Sequence, residues 1–153
     1  MLNQGLMSSK TDEWETPQDL FDMLNNKFHF DLDPCATPEN AKCAKYYTKE
    51  DDGLSKPWHG RVFMNPPYGR QIGKWVAKAV EEVLAKRAEV VVALLPARTD
   101  TEWWHEYVLR YGACVMFIRG RLKFGSGKHP APFPSVVVVF FNVETDEDDV
   151  LTL

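Results

Sequence analysis

The chain has 153 residues, 44% of them hydrophobic, which suits one folded domain around a single core. Its net charge of −4 argues against a uniformly basic nucleic-acid-binding protein. The acidic residues are concentrated at the end of the chain, however: Glu144, Asp146, Glu147, Asp148 and Asp149. Without these five charges the remainder is slightly positive, so the overall charge does not exclude nucleic acid as a partner.

Cysteine spacing and hydropathy bear on the cellular compartment, on metal binding and on membrane association. Cys35, Cys43 and Cys114 show no C-x-x-C spacing, which predicts reduced thiols and no metal site. The beginning of the sequence does not resemble a signal peptide, and apolar runs fall short of the ~20 residues needed to span a bilayer. We therefore expect a cytoplasmic protein without a metal and without a membrane partner.

The first elements in chain order are a polar segment and a helix. Residues 1–13 are predicted to be a flexible N-terminus, followed by a folded domain at 14–143 and an acidic tail at 144–153. Thr16-Pro17-Gln18-Asp19 is typical of a helix start, with Thr at the N-cap and Pro at the first helical position. Four apolar residues then recur at helical spacing and are predicted to face the core: Leu20, Phe21, Leu24 and Phe28.

Two strands and a second helix follow. Alternation of apolar and polar residues at 28–33 (FHFDLD) predicts a strand. The stretch 37–57 is polar and turn-rich, with one short strand expected at 44–48. A strand is predicted at 61–64, and an amphipathic helix at 72–83.

The last third of the chain contains the most apolar segments. Residues 89–95 (EVVVALL) have the composition of a strand buried on both faces of a parallel sheet. A helix at 101–111 and strands at 113–118 and 135–142 follow. Because no helix separates the last two strands, they are predicted to be antiparallel. The pattern therefore indicates an α/β fold with a mostly parallel sheet and an antiparallel C-terminal hairpin.

The sequence Asn65-Pro66-Pro67-Tyr68 follows the predicted strand at 61–64 and is the strongest candidate for a site. The Asn side chain provides one acceptor and two donors, and the prolines hold the turn rigid. Tyr68, expected to be exposed, would offer a ring on which a planar base can stack. A Pro-rich turn is the alternative interpretation, but open α/β sheets bind ligands at the carboxyl ends of their strands, which favours a site.

Two acidic turns also stand at predicted strand ends or near them. Asp33-Pro34 ends the first strand, and its carboxylate could accept hydrogen bonds from an ammonium group or a hydroxyl. Asp51-Asp52 forms a second acidic turn. Each of these, taken alone, is more often a simple turn.

A basic segment follows the strand at 113–118. It contains four cations and no acidic residue: Arg119, Arg121, Lys123 and Lys128. A solvated loop is the ordinary interpretation, and contact with nucleic acid is the functional one.

The ordered set of motifs resembles the phage-type DNA N-6-adenine methyltransferase family. The set comprises T-P-x-x-L-F, D-x-D-P-C-A, D-D-G-L-x-x-x-W, N-P-P-Y, L-L-P-A-R-T-D-T-x-W-W and G-R-L-x-F. The similarity extends from about Trp14 to Phe141, nearly the whole chain. The resemblance implies a Rossmann-like methyltransferase fold, S-adenosylmethionine as methyl donor, and double-stranded DNA as substrate, with the target adenine flipped out of the helix.

The resemblance also implies roles for single residues. Thr16 and Pro17 would lie against the methionine end of the cofactor, and Asp33 with Pro34 would bind its amino group. Asp52, or otherwise Asp51, would contact the cofactor's adenine. Asn65, Pro66, Pro67 and Tyr68 would hold the target adenine. Because no segment is long enough for a separate target-recognition domain, we expect DNA contact to fall to the basic loop at 119–134, which contains Arg119, Arg121, Lys123 and Lys128.

The sequence departs from the larger methyltransferase pattern in two ways. Asp-Pro-Cys-Ala stands where a Gly-rich motif usually follows the first strand. Only 31 positions separate Pro34 from Asn65, so the fold is predicted to be shortened there, and the ribose-binding acid stays open between Glu50 and Asp51. Two alternatives stay open as well: an N-P-P-Y methyltransferase acting on RNA adenine or protein glutamine, and a catalytically inactive DNA-binding relative.

Overall fold

Six strands and three helices form the protein in the computed structural model, which describes residues 14–125 and 128–142. The strands are β1 (Leu32–Asp33), β2 (Lys45–Tyr46), β3 (Gly60–Met64), β4 (Ala88–Pro96), β5 (Cys114–Phe117) and β6 (Ser135–Phe141). They make one sheet in the order β2-β1-β3-β4-β6-β5. The predicted flexible N-terminus (1–13) and acidic tail (144–153) lie outside the described residues.

The sheet has a parallel half and an antiparallel half. β2, β1, β3 and β4 run parallel, whereas β6 is antiparallel to both β4 and β5. The predicted mostly parallel α/β sheet with an antiparallel C-terminal pair is confirmed. The sequence did not reveal that β6 is inserted between β4 and β5. Its position there fits its composition, which is apolar after Ser135, because a strand covered on both faces has few polar side chains.

Helices cover both faces of the sheet. Helix α1 (Gln18–Phe28) packs in one apolar cluster, and α2 (Ile72–Leu84) packs in the other. A π-helical turn at Trp104–Val108 continues into the short α3 (Leu109–Tyr111), where a regular helix was predicted. Trp103 and Trp104 are both buried, and the wider turn places two adjacent indoles against the core.

The predicted start of α1 is one residue too early. The helix begins at Gln18, preceded by Pro17 in an extended conformation, and no side chain caps it. The Thr16 hydroxyl does not act as the N-cap, because it accepts a hydrogen bond from a distant side chain instead.

The predicted strand at 28–33 is wrong over most of its length. Helix α1 continues to Phe28, and His29 ends it in the left-handed conformation (φ 53°). Phe30 then packs against Phe21 and Phe63. The alternation in this segment therefore reflects aromatic packing beneath the sheet, and only Leu32–Asp33 pairs as a strand.

The segment between β1 and β3 is short, as predicted. It contains only the two-residue β2 and a 3-10 turn at Gly53–Ser55. Gly53 is required there, because a Cβ at this position would lie 2.1 Å from the main-chain oxygen of Pro34. The turn consequently packs directly against the carboxyl end of β1. Within the described residues, no helix is long and apolar enough to span a bilayer.

Candidate active site

A cavity with a volume of about 1010 Å³ opens at the carboxyl ends of β1 and β3. The connection after β1 leads to β2 on one side of it, whereas the connection after β3 leads to β4 on the other side, so the strand order reverses between β1 and β3. Ligands of open α/β sheets bind at such switch points. The wall includes residues that follow β1 (Asp33, Pro34, Cys35), residues that follow β3 (Asn65, Pro66, Pro67), and parts of three loops: Trp14–Thr16, Asp52–Leu54, and the pair Phe124 and Gly125.

The Asn65 side chain is held in a defined orientation. Its Nδ2 donates to the main-chain oxygen of Trp14 and to the Thr16 Oγ1, the latter at 2.9 Å. A main-chain carbonyl can only accept, so the amide nitrogen must be the atom that faces Trp14. The opposite atom, Oδ1, is buried and accepts no hydrogen bond from the described residues. The site therefore contains an acceptor that lacks a donor.

The main chain of Asn65 is fixed as well. The Cys35 thiol donates to the Asn65 main-chain oxygen, with Sγ at 3.2 Å. Burial, together with the nearby Asp33 charge, raises the pKa of the Cys35 thiol well above its ordinary value, so the group stays a neutral donor. Pro66 and Pro67 follow in the cavity wall, with Pro66 buried.

The prediction that Tyr68 is exposed is wrong. Its ring is 3% exposed and does not line the cavity. Phe133 and Phe124 meet it edge to face, with ring centroids at 5.4 Å and 6.3 Å. The hydroxyl donates to the Leu94 main-chain oxygen at 3.1 Å, and burial raises its pKa well above the ordinary value. Both ends of the side chain are thus satisfied within the protein.

Asp33 lies in the cavity wall as a buried carboxylate. It is 5% exposed and accepts hydrogen bonds from the main-chain nitrogens of Cys35 (3.3 Å) and Lys42 (3.2 Å). Burial raises its pKa to about 6, and these two bonds only partly oppose the shift. A carboxylate in this environment is stabilised by any cation that enters the cavity.

The other residues predicted to bind the cofactor divide into two groups. Thr16, Pro34 and Asp52 line the cavity, whereas Pro17 and Asp51 do not. The Asp51 carboxylate accepts hydrogen bonds from the Thr48 main-chain nitrogen and hydroxyl, and these bonds lower its pKa. The exposed Glu50, the other candidate for the ribose-binding acid, also lies outside the wall.

The basic loop lies at the same sheet edge as Asn65. Pro96, at the carboxyl end of β4, pairs with Ser135, so the loop that precedes β6 emerges at this edge. Lys128 lines the cavity. The other three predicted cations are exposed and stand outside the wall: Arg119, Arg121 and Lys123.

Three residues of the site were missed by sequence reasoning. Trp14 contributes its main-chain oxygen to Asn65, Cys35 contributes its thiol, and Phe124 lines the cavity beside Trp14 at 5.5 Å. Cys35 belongs to D-x-D-P-C-A and Phe124 to G-R-L-x-F, whereas Trp14 lies two residues before T-P-x-x-L-F. No group of three or more His, Cys, Asp or Glu residues suited to a metal occurs within residues 14–125 and 128–142.

Comparison with known proteins places the chain in a family. Residues 4–147 match the sequence profile of the DNA N-6-adenine-methyltransferase (Dam) family. The DNA N-6-adenine-methyltransferase of Haemophilus phage HP1 is 31% identical over 127 residues, which cover 81% of this chain and 72% of that protein. The protein of the same name from Escherichia phage T1 is 35% identical over 98 residues, covering 62% of this chain but only 40% of the phage protein. The chain belongs to the DNA N-6-adenine-methyltransferase (Dam) family.

Proposed function

We propose that this protein transfers a methyl group from S-adenosylmethionine to the exocyclic N6 amine of adenine in DNA. Membership of the family supplies the reaction class, which requires a methyl donor and a DNA substrate. The observation that supports this assignment most directly is the unpaired, buried Oδ1 of Asn65. Leaving a buried acceptor without a donor costs about 1–3 kcal/mol, and an amine bound beside it would offset that cost.

The residues at the cavity suit an amine nucleophile. The Asn65 Oδ1 and the Pro66 main-chain oxygen are acceptors for the two N–H groups of the target amine. Accepting both hydrogens draws the nitrogen lone pair out of conjugation with the ring and stabilises the positive charge that develops on nitrogen. A general base is unnecessary for the attack, because the proton can leave to solvent afterwards.

The cavity also suits the proposed cofactor. S-adenosylmethionine supplies an electrophilic methyl group when bound. The buried Asp33 carboxylate matches the ammonium group of its methionine part, with Pro34 beside it, and Asp52 is proposed to contact its adenine. Asp51 and Pro17 stand outside the cavity wall, so we assign them no direct contact with the cofactor.

The target base must leave the DNA stack to reach Asn65, at a cost of a few kcal/mol. Stacking of that base on Tyr68 requires the Phe124 and Phe133 rings, which cover Tyr68, to move as the base enters. Trp14 and Phe124 are partly exposed in the cavity wall and are the aromatic side chains that a base meets first.

Replacing Asn65 with Ala tests the proposal. We expect turnover on duplex DNA to fall by roughly 10²–10³-fold, because a group that stabilises the transition state is lost. The dissociation constant for S-adenosylmethionine, measured by calorimetry, should stay within threefold. Asn26, exposed on α1, provides the matched control as Asn26→Ala. Wild-type turnover in Asn65→Ala contradicts the proposal, and activity on RNA or on a glutamine peptide in place of DNA redirects it to the corresponding alternative.

The basic loop provides a separate test of DNA as the partner. Each phosphate that a cation neutralises contributes a slope of roughly −0.9 to the salt dependence of binding. Changing Arg121 and Lys123 together to Gln should flatten that slope by about one to two units, with cofactor affinity unchanged. The control pair is Lys27 and Lys86, which stand at the opposite sheet edge, before β1 and β4. An unchanged slope combined with lower thermal stability assigns the loop a structural role.

A further inference from the structure

The segment before α1 holds both N–H groups of the Asn65 side chain. One hydrogen is accepted by the Trp14 main-chain oxygen and the other by the Thr16 Oγ1 at 2.9 Å. Thr16 is only 5% exposed, and its hydroxyl does not cap the helix that begins two residues later. The hydroxyl is therefore directed away from its own helix and toward a residue 49 positions along the chain.

The orientation of a terminal amide depends on such partners. The two ends of a carboxamide are nearly equal in size, so hydrogen bonds decide which end points where. If the Asn65 amide turned over, its oxygen would face the Trp14 carbonyl and its NH₂ would face an incoming amine. Both arrangements are repulsive. The Trp14 carbonyl selects the correct end, and the Thr16 hydroxyl takes the second N–H and holds the plane of the amide.

We propose that Thr16 is a positioning residue that orients the Asn65 carboxamide toward the target amine. The inference rests on the proposed function, and it differs from the role that the family resemblance implied, a contact with the cofactor. A positioning role changes turnover, because the misplaced oxygen no longer stabilises the transition state. A cofactor contact changes the affinity for S-adenosylmethionine instead.

The backbone around Thr16 has attachments that do not involve its side chain. The Glu15 main-chain oxygen accepts a hydrogen bond from the Gly125 main-chain nitrogen at 3.0 Å. The Trp14 ring packs edge to face against Phe124 and Phe133 at 5.5 Å and 5.1 Å. Removing the Thr16 hydroxyl should therefore leave the segment in place, which makes a side-chain test clean.

The test compares Thr16→Val, which keeps the shape but lacks the hydroxyl, with Thr16→Ser, which keeps the hydroxyl. Loss of one hydrogen bond predicts that Val lowers kcat about tenfold at saturating cofactor and DNA, and that Ser stays within about twofold of wild type. Affinity for S-adenosylmethionine, measured by calorimetry, should change less than twofold in both. An unaltered kcat in Thr16→Val overturns the inference, and so does a weaker cofactor affinity with kcat intact.

A second readout does not depend on turnover. In ¹⁵N-labelled protein, the Asn65 side-chain NH₂ signals can be assigned by their loss in Asn65→Ala. Both protons should exchange slowly in the wild type and in Thr16→Ser, and one should exchange faster in Thr16→Val. Identical exchange in all three proteins overturns the inference even if catalysis is absent. A wild type that shows the slow exchange but does not methylate DNA contradicts the proposed function alone.

Discussion

Two buried carboxylates, Asp33 and Glu82, sit in opposite electrostatic surroundings. Glu82 is fully buried and is bonded to both Lys78 and Arg87. Burial opposes its ionisation, yet the hydrogen bonds from these two cations hold its pKa below the ordinary value. Among the described residues, Asp33 accepts hydrogen bonds only from main-chain nitrogens, and burial raises its pKa to about 6.

The difference separates a carboxylate that is neutralised inside the protein from one that we propose binds the cofactor. The charge on Glu82 is neutralised inside the protein, on the helix that covers one face of the sheet. Asp33 has no ion pair within residues 14–125 and 128–142 and lines the cavity, so its charge is left for a ligand to neutralise. Perturbed pKa values of this second kind concentrate at functional sites.

The largest effect is expected from Glu82→Gln, which preserves size but removes the charge. Lys78 and Arg87 lose their buried partner, so the free energy of unfolding should fall by roughly 3 kcal/mol and the Tm by roughly 6–12 °C. Turnover of the folded protein should be unchanged. Glu81→Gln is the matched control, because Glu81 is exposed and lies 3.7 Å from Arg87. Equal Tm values for the two variants would make Glu82 no more important than a surface ion pair.

Asp33→Asn should change cofactor affinity and leave stability intact, the opposite of Glu82→Gln. We expect S-adenosylmethionine to bind roughly 10- to 100-fold more weakly, because a charge-assisted hydrogen bond to its ammonium group is lost. Thermal stability at pH 7.5 should not decrease, since an ionised buried carboxylate is removed. Asp31→Asn, an exposed neighbour paired with Arg61, is the control. Unchanged cofactor affinity would identify Asp33 as a turn residue.

The pKa of Asp33 adds a pH test of the same pair. Because the folded pKa of Asp33, about 6, lies above its ordinary value of 3.8, the carboxylate of the unliganded protein becomes protonated as pH falls through 6. Cofactor affinity should then drop by about tenfold per pH unit below 6 in the wild type, and it should stay flat in Asp33→Asn. As the pH falls from 6 to 4, Asp33 takes up a proton in the folded state before it does so in the unfolded state, so the free energy of unfolding of the unliganded wild type rises relative to that of Asp33→Asn. Glu82, whose folded pKa is lowered, has the opposite effect: its contribution to stability is lost as the pH falls.

The smallest effect is expected from Tyr68→Phe. Tyr68 resembles Glu82 in having its polar group satisfied inside the protein. Loss of the bond to the Leu94 oxygen should cost about 1 kcal/mol of stability, with turnover within threefold of wild type. Tyr68→Ala should be far more damaging, because it also removes the ring that Phe124 and Phe133 pack against. A catalytic loss in Phe equal to that in Ala would assign the hydroxyl a role in the reaction.

The central sheet was predictable from local sequence, and so was the place of Asn65 directly after a strand, where the candidate cavity opens. Composition alone predicts buried strands at 89–95 and 135–142, and both strands are confirmed. Asn65 was identified as a candidate because a polar corner follows a strand, which is a local pattern, and its role in the reaction stays a prediction. The antiparallel pairing of β5 and β6 followed from the absence of a helix between them.

What failed depends on contacts between distant parts of the chain. Tyr68 is buried by Phe124 and Phe133, more than 50 positions away, and periodicity carries no information about such partners. Thr16 has the local sequence signature of an N-cap, but its hydroxyl accepts a hydrogen bond from the Asn65 side chain and does not cap the helix. Pairing of only two residues in β1 is likewise decided by its neighbours, since the alternation at 28–33 fits a longer strand.

The insertion of β6 between β4 and β5 constrains how the chain reaches this structure. Within the part of the chain that the structure describes, β5 pairs only with β6, so it has no hydrogen-bonding neighbour there until residues 135–141 are available. During synthesis the Cys114–Phe117 segment leaves the ribosome before β6 does, so its backbone groups cannot pair until β6 has been made. Such long-range closure is slow compared with local pairing. The strand that completes the sheet, β6, is therefore an inner strand. A ribosome that stalls before Ser135 leaves both β4 and β5 with unpaired edges.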